Sequence, residues 1–126
     1  MKPGNVVQLK EVAEVEFDDI VVAATVTGPN QLRIILLDDS FIDLWFSLKF
    51  EGRYSYHWER RAIDGAIHRH DNAPHLRWQN VSTFPHHYHA GSEEHVIESN
   101  LSPDPTKALH QFLEFARNML QKPTHE

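Results

Sequence analysis

Alternation of apolar and polar residues is clearest in the middle of the chain. In Phe41–Lys49, Ile42, Leu44, Phe46 and Leu48 face one way, and Phe41, Asp43, Trp45, Ser47 and Lys49 face the other. This is the period of a strand, with the first set on the core face. Tyr54–Arg60 repeats the period: Tyr54, Tyr56 and Trp58 against Ser55, His57 and Glu59. Two further β-rich runs come earlier, Phe17–Thr27 and Leu32–Leu37, and Ala66–His70 comes later. The joints are turn formers: Gly28-Pro29-Asn30, Asp38-Asp39-Ser40, Glu51-Gly52 and the hairpin pair Asp64-Gly65. Short joints predict an antiparallel meander, because parallel neighbours need long crossovers.

The period changes towards both ends. Val6, Leu9, Val12 and Val15 have the spacing of a short helix. After Asp71 the alternation stops, and Asn72-Ala73-Pro74 and Phe84-Pro85 mark an irregular segment to about residue 92. Val96–Glu98 reads as a short strand. Ser102 then reads as an N-cap, with Pro103 at the first helical position and Asp104 in the first turn. The helix is predicted over about 103–120, with Leu109, Phe112, Leu113, Ala116 and Leu120 in one stripe, Lys122 near its end and Pro123 beyond. That stripe reads as core, with a homodimer interface as the second reading. The expected fold is a single α+β domain over residues 1–126. It is a curved antiparallel sheet of about five to six strands with the C-terminal helix packed on one face.

Composition narrows the chemistry. The chain has no cysteine, which removes disulfides, thiolate metal sites and thiol nucleophiles. The N-terminal residues carry acids where an export signal needs an apolar run, and no stretch approaches a membrane span. A cytoplasmic location is expected. The net charge is −6, but residues 53–90 carry five arginines against three acids, and the rest carries seven bases against fifteen acids. A locally basic patch on an acidic body can bind nucleic acid or dock a charged partner. The acid pairs Asp18-Asp19, Asp38-Asp39 and Glu93-Glu94 read as solvated turn residues.

Histidine is concentrated in the same stretch. Eight of the ten histidines lie between His57 and His95. Histidine exchanges protons near neutral pH and is the commonest metal ligand, while arginine forks grip phosphate. Three segments hold the candidates: Tyr54-Ser-Tyr-His57, Arg69-His-Asp-Asn-Ala-Pro-His75 and Thr83-Phe-Pro-His-His-Tyr-His89. On a strand His68 and His70 share one face and Arg69 takes the other, so either the pair or the arginine is buried, not both.

These three segments, in this order and at these separations, resemble the TumE-type family of small prokaryotic proteins. The resemblance covers about residues 17–120. It rests on an arginine, one residue, Asp-Asn-Ala-Pro-His, then Thr-Phe-Pro-His-His-x-His. It implies the toxin component of a toxin–antitoxin pair, with a helix-turn-helix antitoxin as cognate partner. The family pattern often has a second histidine after the first of these motifs. That position is Leu76 here, which favours His75 alone. The position before Asp71 is often aromatic and is His70 here. The resemblance does not fix a reaction, so mechanism rests on residue chemistry.

Three readings follow. The first is a metal-independent endoribonuclease, which needs a base for the 2′-hydroxyl, an acid for the leaving 5′-oxygen and a cation for the phosphorane. It casts His57 and His75 or His86 as the acid–base pair, Arg69 as the phosphate clamp and Tyr56 as orienter or stacking platform. Arg53, Arg61, Arg77, Trp78, Asn72 and His89 would bind substrate, and no cofactor is expected. The plainer reading makes His57 a partly buried histidine bonded to Glu59, and Tyr54, Tyr56 and Trp58 core. The second is a divalent metal site, zinc for example, drawn from His86, His87, His89 and Asp71 with His75 or His70. The third is a binding module that sequesters a cellular target without catalysis.

Overall fold

The computed structural model describes residues 5–121. Among them the elements run α1 (Val6–Glu16), β1 (Val21–Gly28), β2 (Gln31–Leu36), β3 (Phe41–Phe46), β4 (Tyr54–Arg60), α2 (Arg61–Asp64), β5 (Ala66–Asp71), a 3₁₀ turn (Leu76–Trp78), β6 (His87–Gly91), β7 (Val96–Glu98) and α3 (Pro105–Gln121). The seven strands form one sheet in sequence order, every neighbour antiparallel. The meander and the α+β class are as the sequence predicts. The additional strand is β6, which falls inside the segment read as irregular.

One face of the sheet is covered by α1 and α3. Ile34, Leu36, Ile42, Leu44, Tyr56 and Trp58 meet Leu9, Ala13, Leu109, Phe112, Leu113 and Ala116 there, all buried in one cluster. The predicted stripe of α3 is core, with Leu120 at its margin. In α1 the spacing holds for Val6 and Leu9, Val12 lies at the edge and Val15 is exposed.

Several boundaries move for local reasons. Residues 17–20 form a turn rather than the start of β1, closed by Phe17 C=O accepting from the Ile20 and Val21 N–H groups. β3 ends at Phe46, because the Ser47 hydroxyl accepts from the Lys49 and Phe50 N–H groups and turns the chain. Asp64-Gly65 is not a two-residue hairpin. A single helical turn precedes Gly65, whose φ of 79° is the left-handed value glycine tolerates. Asp64 caps Ala66 N–H and accepts from Arg60 Nε, so the turn is built from side chains. At α3 the cap is Asp104, which accepts from Lys107 N–H, and Pro105 takes the first helical position. Ser102 instead accepts from Asp104 N–H. The pattern of a capping side chain followed by proline holds, but it acts two residues later, at Asp104-Pro105 instead of Ser102-Pro103. Lys122 and Pro123 lie outside the described residues.

Candidate functional site

Register fixes which histidines meet. β4 and β5 pair Tyr56 with His70, His57 with Arg69 and Trp58 with His68. β5 and β6 pair Arg69 with His89, His70 with Tyr88 and Asp71 with His87. Alternation therefore sends His68 and His70 to the helix-covered face, and Arg69, Asp71, His87 and His89 to the other. Of the two options left by the sequence, the histidine pair is the buried one: His68 and His70 are at most 9% exposed.

On the covered face histidine serves as an aromatic core residue. His70 stacks on Tyr88 with ring centroids 4.2 Å apart and meets Phe112 edge-on. Its Nδ1 lies 2.8 Å from Ser99 Oγ. Burial pushes its pKa down to about 3. His68 is bonded to the Tyr88 hydroxyl and packs between Trp58 and Phe115. Tyr56 lies here too, 4% exposed and stacked on Tyr54 at 4.7 Å, its hydroxyl pKa pushed upward by burial. It faces away from His57 and Arg69.

The opposite face carries a cleft of about 330 Å³ lined by Arg69, Asp71, His75, Arg77, Trp78, His89, Glu93 and Glu94. The Asn72–His86 segment forms one wall. Asn72 pins its start: the side chain accepts from Tyr54 N–H and donates to Gly52 C=O. Trp78 leans over His87 and His89, with centroids 6.3 and 5.9 Å away. The Arg77 guanidinium lies over the Trp78 ring at 4.6 Å. His75 is exposed at the rim.

Two arrangements of fixed polarity meet in the floor. Arg69 Nη1 donates to His57 Nδ1 at 3.2 Å, so the proton of His57 sits on Nε2 and is donated to Glu59 at 3.0 Å. Arg61 also bonds Glu59 and is the chief reason its pKa falls to about 2. Both nitrogens of His57 are thus engaged, which matches the plainer reading of this residue. Arg69 also pairs with Glu93 through both oxygens, and with Asp71 through Nε at 3.3 Å. The Arg69 guanidinium holds the Glu93 carboxyl below the usual range.

The second arrangement is Asp71, His87 and His89. His87 Nδ1 donates to Pro85 C=O and His89 Nδ1 donates to Glu93 C=O, each at 2.9 Å. Carbonyls only accept, so each ring carries a proton on Nδ1 and turns its Nε2 towards Asp71. His87 Nε2 lies 3.1 Å from Asp71 Oδ1, and His89 Nε2 lies 3.8 Å from Asp71 Oδ2. Burial lowers the pKa of His89.

Among the sequence candidates, the cleft gathers Arg69, His75, Arg77, Trp78, His89 and Asp71, with His87 beneath them. His57 and Arg61 join only through the Arg69 relay. Arg53 lies over Phe50 in the β3–β4 turn, outside the cleft. Asn72 is a loop anchor. His86 is exposed elsewhere, bonded through Nδ1 to the Tyr54 hydroxyl, and does not join the Asp71 group. Glu93 was read as a solvated turn acid. Gly91, at φ 92°, begins the turn that folds Glu93 back over Arg69. The signal available was an unmatched arginine on an open sheet face beside a two-acid turn.

A family model described as "Toxin TumE" matches residues 6–120, nearly the whole chain. The chain belongs to the TumE toxin family. It is the toxin of a toxin–antitoxin system, and membership in the TumE family implies a cognate antitoxin partner. The match extends the motif resemblance through α1. No curated protein and no solved structure matches the chain. Among the described residues, no helix is long and apolar enough to cross a membrane.

Proposed function

We propose that this toxin is an endoribonuclease acting at the open-face cleft. The observation that carries the reading is the convergence of Arg69, Arg77, His75 and Trp78 on one solvent-reachable cleft beside the Asp71–His87–His89 group. Arg77 and Arg69 hold the scissile phosphate, with the phosphate taking the place of the Glu93 carboxylate on Arg69. Trp78 offers a face for an unstacked base. The 2′-hydroxyl oxygen attacks phosphorus as its proton is taken up at the Asp71–His87–His89 corner. The bond to the 5′-oxygen breaks, and that oxygen receives a proton from His75. The products are a 2′,3′-cyclic phosphate and a 5′-hydroxyl end.

Of the candidates His57, His75 and His86, His75 is kept because it is the exposed imidazole lining the cleft, whereas His57 is bonded at both nitrogens and His86 stands apart. The antitoxin neutralises the toxin by obstructing this cleft. Growth arrest and antitoxin binding, measured together, test the reading. His75→Ala is expected to abolish arrest while the folded variant still binds antitoxin. Loss of both functions together would instead support a sequestering module.

A further inference from the structure

We infer that Asp71, His87 and His89 form a binding site for a divalent transition metal. Each offers one ligand atom, and the three atoms lie within 4.8 Å of one another. Zinc–nitrogen and zinc–oxygen bonds of about 2.0–2.1 Å put neighbouring ligands roughly 3.3 Å apart, against 3.1 Å from His87 Nε2 to Asp71 Oδ1 and 3.8 Å from His89 Nε2 to the other carboxylate oxygen, Oδ2.

Tautomer control supplies the independent argument. Ligating histidines characteristically donate their second ring N–H to a carbonyl or carboxylate, which aims the other nitrogen at the ion. Both His87 and His89 do so, through Pro85 and Glu93 carbonyls. The carboxylate is held in the same manner: Asp71 Oδ1 accepts from Ala73 N–H, and Arg69 Nε reaches Oδ2. Three potential ligand atoms, two imidazole Nε2 and a carboxylate oxygen, therefore face one another. His87 is fully buried, and its Nε2 has no hydrogen-bond partner among the described residues. The 3.1 Å approach to Asp71 is close but not aligned for a hydrogen bond, as two ligands of a shared ion are. A buried ring nitrogen without a hydrogen-bond partner opposite a carboxylate is costly, and a cation between them removes that cost.

Two imidazoles and one carboxylate, with no thiolate, suit zinc, cobalt, manganese or nickel. His89 and Asp71 line the cleft, so remaining coordination positions open towards substrate. The catalytic role rests on the ribonuclease reading: a metal held by Asp71, His87 and His89 would supply Lewis-acid chemistry beside the 2′-hydroxyl.

The test is titration of the purified full-length protein with Co²⁺ and Zn²⁺, followed by calorimetry and by the visible absorption of cobalt. One equivalent is expected to bind, and Asp71→Asn and His89→Gln to weaken binding at least tenfold. His86→Ala is expected to bind like the wild type. Circular dichroism separates lost ligation from lost folding, and His89→Gln, which keeps a polar group at the rim, guards against collapse of the buried His87. Binding no tighter than that of folded Asp71→Asn would overturn the site, as would RNA cleavage by a protein that binds no metal. Metal binding without RNA cleavage would uphold the site and remove the ribonuclease reading instead.

Discussion

β5 and β6 carry two pairs of histidines that differ only in which face of the sheet they meet. His68 and His70 turn towards α3, where Tyr88, Trp58, Phe112 and Phe115 enclose them as aromatic rings. His87 and His89 turn the other way, where backbone carbonyls hold their Nδ1 protons and a carboxylate faces their Nε2 atoms. Burial is similar on both sides, so burial does not separate structural from chemical histidines. Partners do: rings and hydroxyls on the covered face, carbonyls, Asp71 and an arginine on the open one. Separate failures are therefore expected, of folding on one face and of activity on the other.

The largest expected effect is on the covered face. Phe112→Ala removes a buried ring between the sheet and α3 and should cost about 3–5 kcal/mol of stability, read from urea unfolding. His75→Ala on the open face should do the reverse. The rate of RNA cleavage should fall about 10²–10⁴-fold, the usual worth of a positioned proton donor. Its stability should change by less than about 0.5 kcal/mol, because His75 is exposed. A large stability loss in His75→Ala would break the division between faces.

Acid should expose the covered face next. Burial lowers the pKa of His68, with Arg60 acting in the same direction, Asp64 opposing and the Tyr88 hydroxyl bonded to Nδ1. The folded state thus resists a proton that the unfolded chain accepts near pH 6.5. This contribution is fully present above that pH and is lost as pH falls below it, by up to about 1.4 kcal/mol per pH unit for one group. His68→Phe should flatten the fall of the urea midpoint between pH 6.5 and 5, and an unchanged slope would remove His68 from the account. The smallest effect is at the helix start: Asp104→Ala should cost about 1 kcal/mol, while Ser102→Ala should cost less.

The sheet is legible in sequence because β3 and β4 alternate cleanly, β1, β2 and β5 are β-rich, and the joints between them are turn formers. β6 is not, because His87-Tyr-His89 is polar enough to pass for loop. Its strand character comes from pairing with Ala66–Asp71 and Val96–Glu98 on either side. The start of α3 is displaced because Ser102-Pro103 and Asp104-Pro105 carry the same capping signal, and of the two only Asp104 meets an amide of the helix. At the site, residue types were legible and their faces were not. His57, Tyr56 and Arg69 lie close in the meander, yet alternation places Tyr56 behind the sheet and the Arg69 relay occupies His57. Glu93 could not be found by spacing, since the turn after Gly91 brings it across the sheet.

The central claim is that the open-face cleft cleaves RNA. The direct measurement is the rate and the end groups of cleavage when purified wild-type and His75→Ala toxin are incubated with RNA. The account predicts cleavage by the wild type leaving 5′-hydroxyl ends, and at least a hundredfold loss in the variant. Equal cleavage by both proteins, or RNA left intact by a wild-type preparation that still arrests growth, would contradict it.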